Sequence, residues 1–275
     1  MIELKQVSKH YMVKDNKGTK LKVDAVHQVS LALCYQKATL WWVKAGAEKV
    51  RLPGLSWASK SRRTVKYAWM EKNMALMRQS ELRLKRAEVQ MVLQNAQSAL
   101  DPRLSAYDSI AEPIRCLTKM DRSSERQKVL GLAEKVRLSS EQLGRLPHEL
   151  SGGQQKRVCI ARAVSVSPKF IVFDESVSGL DVTVRKEILD LILQLKDDGI
   201  GAFLFITHDI DVALYMADQL FVMKDGSIVE RIEHAASYDD FHHEYSRQLI
   251  QSLPPKSPHY RRNSQTMVSS IKKAF

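Results

Sequence analysis

The chain has 275 residues and a formal net charge of +12, enough length for one large domain or a core with a subdomain. Its 44% apolar and 27% charged residues describe an ordinary soluble globular protein. No apolar run approaches the roughly 20 residues of a membrane span, so any membrane association is expected to be peripheral. The opening MIELKQVSKHY has no apolar signal core, which predicts a cytoplasmic location. Cys34, Cys116 and Cys159 are few, odd in number and widely spaced, the pattern of reduced structural thiols.

Residues 1–33 read as short strands. Ile2, Leu4 and Val7 open one, the polar stretch from Lys14 to Gly18 turns the chain, Leu21–Val26 alternates, and Val29–Leu33 makes a third. Residues 37–72 differ in composition. They hold all four tryptophans (Trp41, Trp42, Trp57, Trp69) and contribute +7 of the +12 charge. Farther on, residues 105–147 are helix-rich, with a helix predicted around Glu125–Val136. Leu150–Val158 reads LSGGQQKRV. Ser151 is a good N-cap, and two glycines follow where a backbone comes close to something. The helix behind them buries Val158, Ile160, Ala161 and Val164, and its positive N-terminal end suits a phosphate.

Phe170–Phe173 is a continuous apolar run, the pattern of a central parallel strand, so Asp174 and Glu175 emerge at its C-terminal edge, where α/β proteins place ligands. SGLD follows at Ser178–Asp181, then an amphipathic helix over Val184–Leu195, a buried strand over Ala202–Ile206 and the motif FITHD at Phe205–Asp209. Leu220–Met223 and Ser227–Val229 are predicted to form a hairpin about Asp225-Gly226. His242 and His243 are adjacent on a loop and do not make a metal ligand set. From Pro255 the tail is polar, basic and expected to be disordered.

LSGGQ, a strand ending in Asp-Glu, SGLD and a strand ending in His, in this order and spacing, resemble the nucleotide-binding subunits of ABC transporters. FHHEYSRQLIQSLP, Phe241 to Pro254, is similar to the tail of the peptide and nickel importer branch. The resemblance implies an α/β fold: a P-loop NTPase (RecA-like) core with an N-terminal antiparallel β subdomain and a helical subdomain. It implies one ATPase domain over residues 1–254, its helical subdomain at about 100–160 facing a transmembrane partner, and a tail at 255–275. ATP and Mg²⁺ are the implied cofactors. Glu175 would be the general base on the attacking water, and Asp174 would hold Mg²⁺. Gln94, in VQMVLQNAQSALDPR, would reach both metal and water. His208 would contact the γ-phosphate, and Tyr11 would stack on adenine. Ser151, Gly152, Gly153 and Gln154 would cap nucleotide held by a second subunit, and Asp181 would bridge the dimer. The implied partners are a second ABC ATPase subunit, head to tail, two transmembrane permease subunits and a periplasmic or extracellular substrate-binding protein. The implied place is the cytoplasmic face of the inner membrane. Proline usually follows the glutamate in this family; here Ser176 does. ESVSGLD, KRVCIARAV and FLFITHD are closer to the nickel-import subunit than to the oligopeptide one, and peptide import is the alternative.

One family element is missing. The phosphate loop, GxxxxGK followed by Ser or Thr, works because successive N–H groups cradle phosphate, its lysine reaches the β and γ phosphates and its hydroxyl binds Mg²⁺. Here the chain reads TLWWVKAGAEKVRL from Thr39 to Leu52, with Gly46 its one glycine. Lys49, the residue in the lysine's place, precedes Val50, which has no hydroxyl, and Glu48 brings negative charge. The genetic code suggests why. When each new codon is formed from the last base of one codon and the first two of the next, Trp41-Trp42 forces valine and Trp42-Val43 forces glycine. Permitted choices elsewhere turn the places of Trp42 to Arg51 into VGKSGCGKST, a full phosphate loop. Residues of about 37–72 therefore read as translated out of frame. Two further readings stand beside the importer: a non-catalytic subunit that completes only its partner's site, and a soluble ABC ATPase acting on nucleic acid. The second is disfavoured, because outside residues 37–72 the net charge is only +5.

Overall fold

The computed structural model describes residues 2–14, 20–33, 37–43, 68–69, 72–73 and 85–253. Among them the strands are β1 (Ile2–Lys14), β2 (Lys20–Leu33), β3 (Ala38–Val43), β4 (Ala68–Trp69), β5 (Lys72–Asn73), β6 (Val89–Val92), β7 (Phe170–Asp174), β8 (Ala202–Thr207), β9 (Gln219–Lys224) and β10 (Ser227–Glu233). The chain divides into two compact units. The described residues of Met1–Leu33, Thr39–Leu76 and Thr207–Phe275 form one, and those of Cys34–Ala38 and Met77–Ile206 the other.

In the first unit, β1 and β2 make one long antiparallel ribbon running from Ile2 opposite Leu33 to Lys14 opposite Lys20. The sequence suggested three strands here. The second and third are continuous, and register shifts between Leu4 and His10 absorb the break in alternation. β3 lies parallel to β9, with Trp41 opposite Phe221. This strand was not anticipated, although ATLWWV carries the aromatic and β-branched residues of a buried strand. Trp41 is fully buried. β9 and β10 form the expected hairpin. Asp225 (φ 47°) and Gly226 (φ 79°) both take the left-handed conformation, as a two-residue primed turn requires. Helix Glu244–Gln251 follows, and the tail predicted at 255–275 lies outside the described residues.

The second unit is built on parallel strands. β6 pairs with β7 (Val92 opposite Phe173), and β7 pairs with β8 (Phe173 opposite Phe205). Every residue of β7 and β8 is buried, as expected of parallel strands covered on both faces. Phe173 stacks on Phe205 at 4.5 Å and meets Phe203 edge-on at 5.5 Å, and burial of each such ring is worth about 1.5–3 kcal/mol. Gly201 enters β8 at φ 61°, where an added Cβ would stand 2.9 Å from the Pro168 carbonyl oxygen. Only glycine fits there without a backbone shift.

The capped helices that precede the LSGGQ motif include Ala106–Leu117 behind Ser105, Arg122–Lys135 behind Asp121, and Ser140–Gly144 behind Ser139, which forms a full capping box. The helix Arg122–Lys135 begins three residues earlier than expected, because the Asp121 carboxylate accepts from the Ser123 and Ser124 amides. Helix Val182–Asp197 buries Ile188, Leu189, Leu191, Ile192 and Leu195, the predicted apolar stripe. No described helix is long and apolar enough to cross a membrane.

Candidate functional site

The parallel register brings the first pair of site residues together. Val92 is level with Phe173, so the chains leaving β6 and β7 put residues 94 and 175 at the same height. Gln94 Nε2 donates to Glu175 Oε2 at 2.5 Å. Asp174, one residue earlier, is buried at the strand end, 7% exposed. Glu175 takes a left-handed backbone conformation, φ 44°. That conformation costs a non-glycine residue on the order of 1 kcal/mol and is common at functional sites. The Glu175 amide is anchored to the Ile206 carbonyl at 2.9 Å, so the turn is held by β8 while its carboxylate faces Gln94.

The LSGGQ motif forms a capping box. Ser151 Oγ accepts from the Gln154 amide at 3.3 Å, and Gln154 Oε1 accepts from the Ser151 amide at 2.9 Å. The two glycines differ. A Cβ at Gly153 would lie 2.7 Å from Val184 Cγ1, so this glycine admits the helix Val182–Asp197. At Gly152 a Cβ would meet only Leu180 Cδ2, at 4.0 Å. Gly152 is exposed, and its amide precedes the first intrahelical bond, from Gln155 N–H to Ser151 O. Glycine at 152 therefore leaves room for a group outside this chain, at a helix N-terminus suited to an anion. Asp181 is exposed and caps its own helix by accepting from the Val184 amide at 3.0 Å.

Behind the motif, three side chains of the helix Gly152–Val164 bind the backbone that carries Gln94. Lys156 Nζ donates to the carbonyls of Leu93 and Gln94, both at 2.9 Å. Cys159 Sγ lies 3.9 Å from Ala96 O, and Arg162 donates to Ala99 O at 2.7 Å. Arg157 turns elsewhere, to Val136 O at 3.0 Å and Glu187 Oε2 at 2.6 Å. Burial lowers the pKa of the Lys156 ammonium and pushes the Cys159 thiol up. Cys159 is buried and Cys116 exposed. Sequence reasoning missed Lys156 and Arg157. The signal was there, since Lys156 shares the buried helix face of Ile160 and Ala163 at helical spacing.

In the other unit, His208 is half-buried just past β8, and its carbonyl accepts from Trp42 Nε1 at 3.1 Å. Trp42 also meets Phe241 edge-on at 5.5 Å. Asp209 caps the helix Ile210–Met216. Tyr11 lies on β1 opposite Val23, but its side chain, like the whole of Lys49, falls outside the described residues.

These residues fit a Mg-nucleotide in part. Asp174, Glu175 and Gln94 offer oxygen donors, two of them carboxylates, and the Ser151–Gln154 turn offers N–H groups at a helix N-terminus, which suit an anion. Beside Lys49, the sequence offers valine where a metal-binding hydroxyl is needed.

Solved structures agree with this architecture. The dimeric post-hydrolysis state of the ATP-binding cassette MJ0796, bound to ADP and Pi, superposes with a TM-score of 0.70 at 24% identity, covering 85% of this chain and 99% of that one. The CbiO1 protein of Clostridium perfringens, from the ABC transporter complex CbiONQ, gives 0.70 at 22% identity over 92% and 95%. The chain has the ABC ATPase cassette fold. The pattern of the ABC transporter family matches residues 54–178, which include Gln94, the LSGGQ motif and Glu175. Among curated relatives, the oligopeptide transport ATP-binding protein OppF of Lactococcus lactis (strain IL1403) is 44% identical over 167 residues, 61% of this chain and 52% of that protein. The glutathione import ATP-binding protein GsiA of Escherichia coli (strain K12) is 38% identical over 189 residues, 69% of this chain and 30% of that one. The cassette thus spans about half or less of these relatives' length.

Proposed function

We propose that this chain is the ATP-binding subunit of an ABC importer for peptides, working at the cytoplasmic face of a membrane. The observation that carries the reading is the Gln94–Glu175 hydrogen bond at the ends of adjacent parallel strands, within the segment matched by the ABC transporter family. In a subunit with an intact phosphate loop, Glu175 would serve as the base for the attacking water, Gln94 would hold that water, and Asp174 would hold the metal. His208 would contact the terminal phosphate, and Tyr11 would stack on the base. Bound Mg²⁺ would supply charge neutralisation on the phosphates. Ser151, Gly152, Gly153 and Gln154 face nucleotide held by a second ATPase subunit, and Asp181 lies at that dimer interface. Two permease subunits and a substrate-binding protein complete the transporter. Peptide cargo is favoured over nickel by the oligopeptide and glutathione importers among the relatives. ESVSGLD, without proline after Glu175, KRVCIARAV and FLFITHD are the features that favour nickel.

Residues of about 37–72 are proposed to be out of frame, so that the subunit as written lacks its own phosphate cradle and completes only its partner's site. Two measurements test this. Reading the gene across codons 34 to 80 must show an uninterrupted GxxxxGKS/T in the neighbouring frame, and its absence refutes the frameshift. Uptake of labelled peptide and of labelled nickel by cells with and without the gene separates the cargoes, and loss of nickel uptake alone overturns the peptide reading.

A further inference from the structure

The helix that begins at the LSGGQ motif does a second job at its other flank. Lys156 has no carboxylate partner in its described contacts. Its ammonium is buried and spends two hydrogen bonds on backbone carbonyls, those of Leu93 and Gln94. These are consecutive residues just past the end of β6, where the ladder that held Val89–Val92 has stopped. Both bonds are donated by a cation, and hydrogen bonds to a charged group are stronger than those between neutral partners. The second of these residues is the one whose side chain donates to Glu175.

We propose that Lys156 is a positioning residue whose ammonium, clamping the Leu93 and Gln94 carbonyls, sets the backbone from which the Gln94 side chain reaches Glu175. Cys159 and Arg162, one and two turns farther along, hold Ala96 and Ala99, so the whole loop rides on this helix. Lys156 is the member at the reactive end. Ser151, at the N-terminus of the same helix, is thereby tied through Lys156 to the backbone of Gln94. Arg157, the next residue, ties the same helix to Glu187 on the helix Val182–Asp197. Two adjacent cations therefore link the motif to both of its neighbours. The proposal rests on the ATPase reading of the site for its functional meaning, but its geometry is independent of it.

The test reads the Gln94 carboxamide by NMR in the full chain without nucleotide, with the signal assigned by its loss in Gln94→Ala. In the unsubstituted chain its Nε2 protons are expected to be shifted and protected from solvent exchange. In Lys156→Met, of similar volume and without a donor, protection should fall about tenfold, the effect of losing a hydrogen bond to a charged group. Lys156→Arg, which keeps a cation and its donors, should restore it. Should the Met variant not fold, Lys156→Leu, also without a donor, is read in the same way: lost protection supports the clamp, and an unchanged Gln94 signal overturns it. An unchanged Gln94 signal in folded Lys156→Met, or equal loss in the Arg variant, likewise overturns the proposal. Because the signal is read without ATP, an absence of hydrolysis would fell the ATPase reading and leave this outcome standing.

Discussion

β6 and β7 end in chemistry, and β3 does not. Two residues past Val92 stands Gln94; past Phe173 stand Asp174 and Glu175, and a 2.5 Å hydrogen bond joins the two loops. β3 is as well buried as they are, with Leu40 and Trp41 fully inside, yet Val43 is followed by KAGAEKV, with one glycine and no hydroxyl. A parallel strand buried on both faces needs only apolar residues of suitable size, and the chain meets that demand at β3 with Trp41 and Trp42. The loop that follows must supply particular groups at particular places, and there tolerance ends. Under the frameshift proposed above, the strand would still pack while the phosphate-binding loop after it would be lost.

The largest expected effect tests that contrast directly. With VGKSGCGKST installed at the places of Trp42 to Arg51, Glu175→Gln should lower kcat of the paired subunits about 10²–10⁴-fold, the loss expected on removing a general base. In the chain as written, paired with the same subunit, Glu175→Gln should leave turnover unchanged, since the working site draws only on the Ser151–Gln154 face. A large loss there would mean that this chain does hold its own nucleotide. Next in size is nucleotide binding by the isolated chain. Mg-ATP at about 100 times its Kd stabilises a binder by about 2.7 kcal/mol, or roughly 5–10 °C in melting temperature for a chain of this size. The restored loop should show that shift in differential scanning fluorimetry and the chain as written should not.

The paired glycines give a smaller and sharper contrast. Gly153→Ala drives a Cβ to 2.7 Å from Val184 Cγ1 and should cost about 1–3 kcal/mol as overpacking, seen as a lower urea midpoint. Gly152→Ala meets nothing nearer than 4.0 Å and should leave stability within about 0.5 kcal/mol, while still lowering turnover at the partner's site. Equal destabilisation by both would show that the LSGGQ glycines serve only this chain's packing.

Much of this was legible in the sequence because short-range chemistry decides it. Ser151 caps its helix, Asp225-Gly226 makes its turn and Phe170–Phe173 is buried as read, all from local residue type and period. Gln94, Asp174 and Glu175 were picked out by motif resemblance, and the contact between Gln94 and Glu175 needed the β6–β7 register, which spacing alone does not give. Lys156 was passed over because a lysine on a helix is ordinarily solvated, and only the fold shows that carbonyls from 62 and 63 residues away surround its ammonium. The union of Val26 and Val29 in one strand was hidden because register shifts in β1 absorb the broken alternation.

The smallest expected effect belongs to a charge pair in the helices that precede the LSGGQ motif. Arg115 forks onto Glu125, with nitrogen–oxygen distances of 2.7–3.0 Å, and Glu125 is 5% exposed. The guanidinium hydrogen bonds hold the Glu125 carboxyl below its ordinary value of 4.5. A carboxyl whose pKa is depressed by folding stabilises the fold fully above its unfolded value and loses that contribution as pH falls through the folded value. The window is therefore the acid side of 4.5. Arg115→Met should cost about 1 kcal/mol at neutral pH, since Arg115 itself is partly solvated. The gap between the unsubstituted protein and the Arg115→Met variant, read as urea midpoints from about pH 7 down to about pH 3, should narrow only below that value. A gap that stays constant with pH would assign the loss to packing of the arginine stem, and the pair would then have no share in the acid sensitivity of this unit.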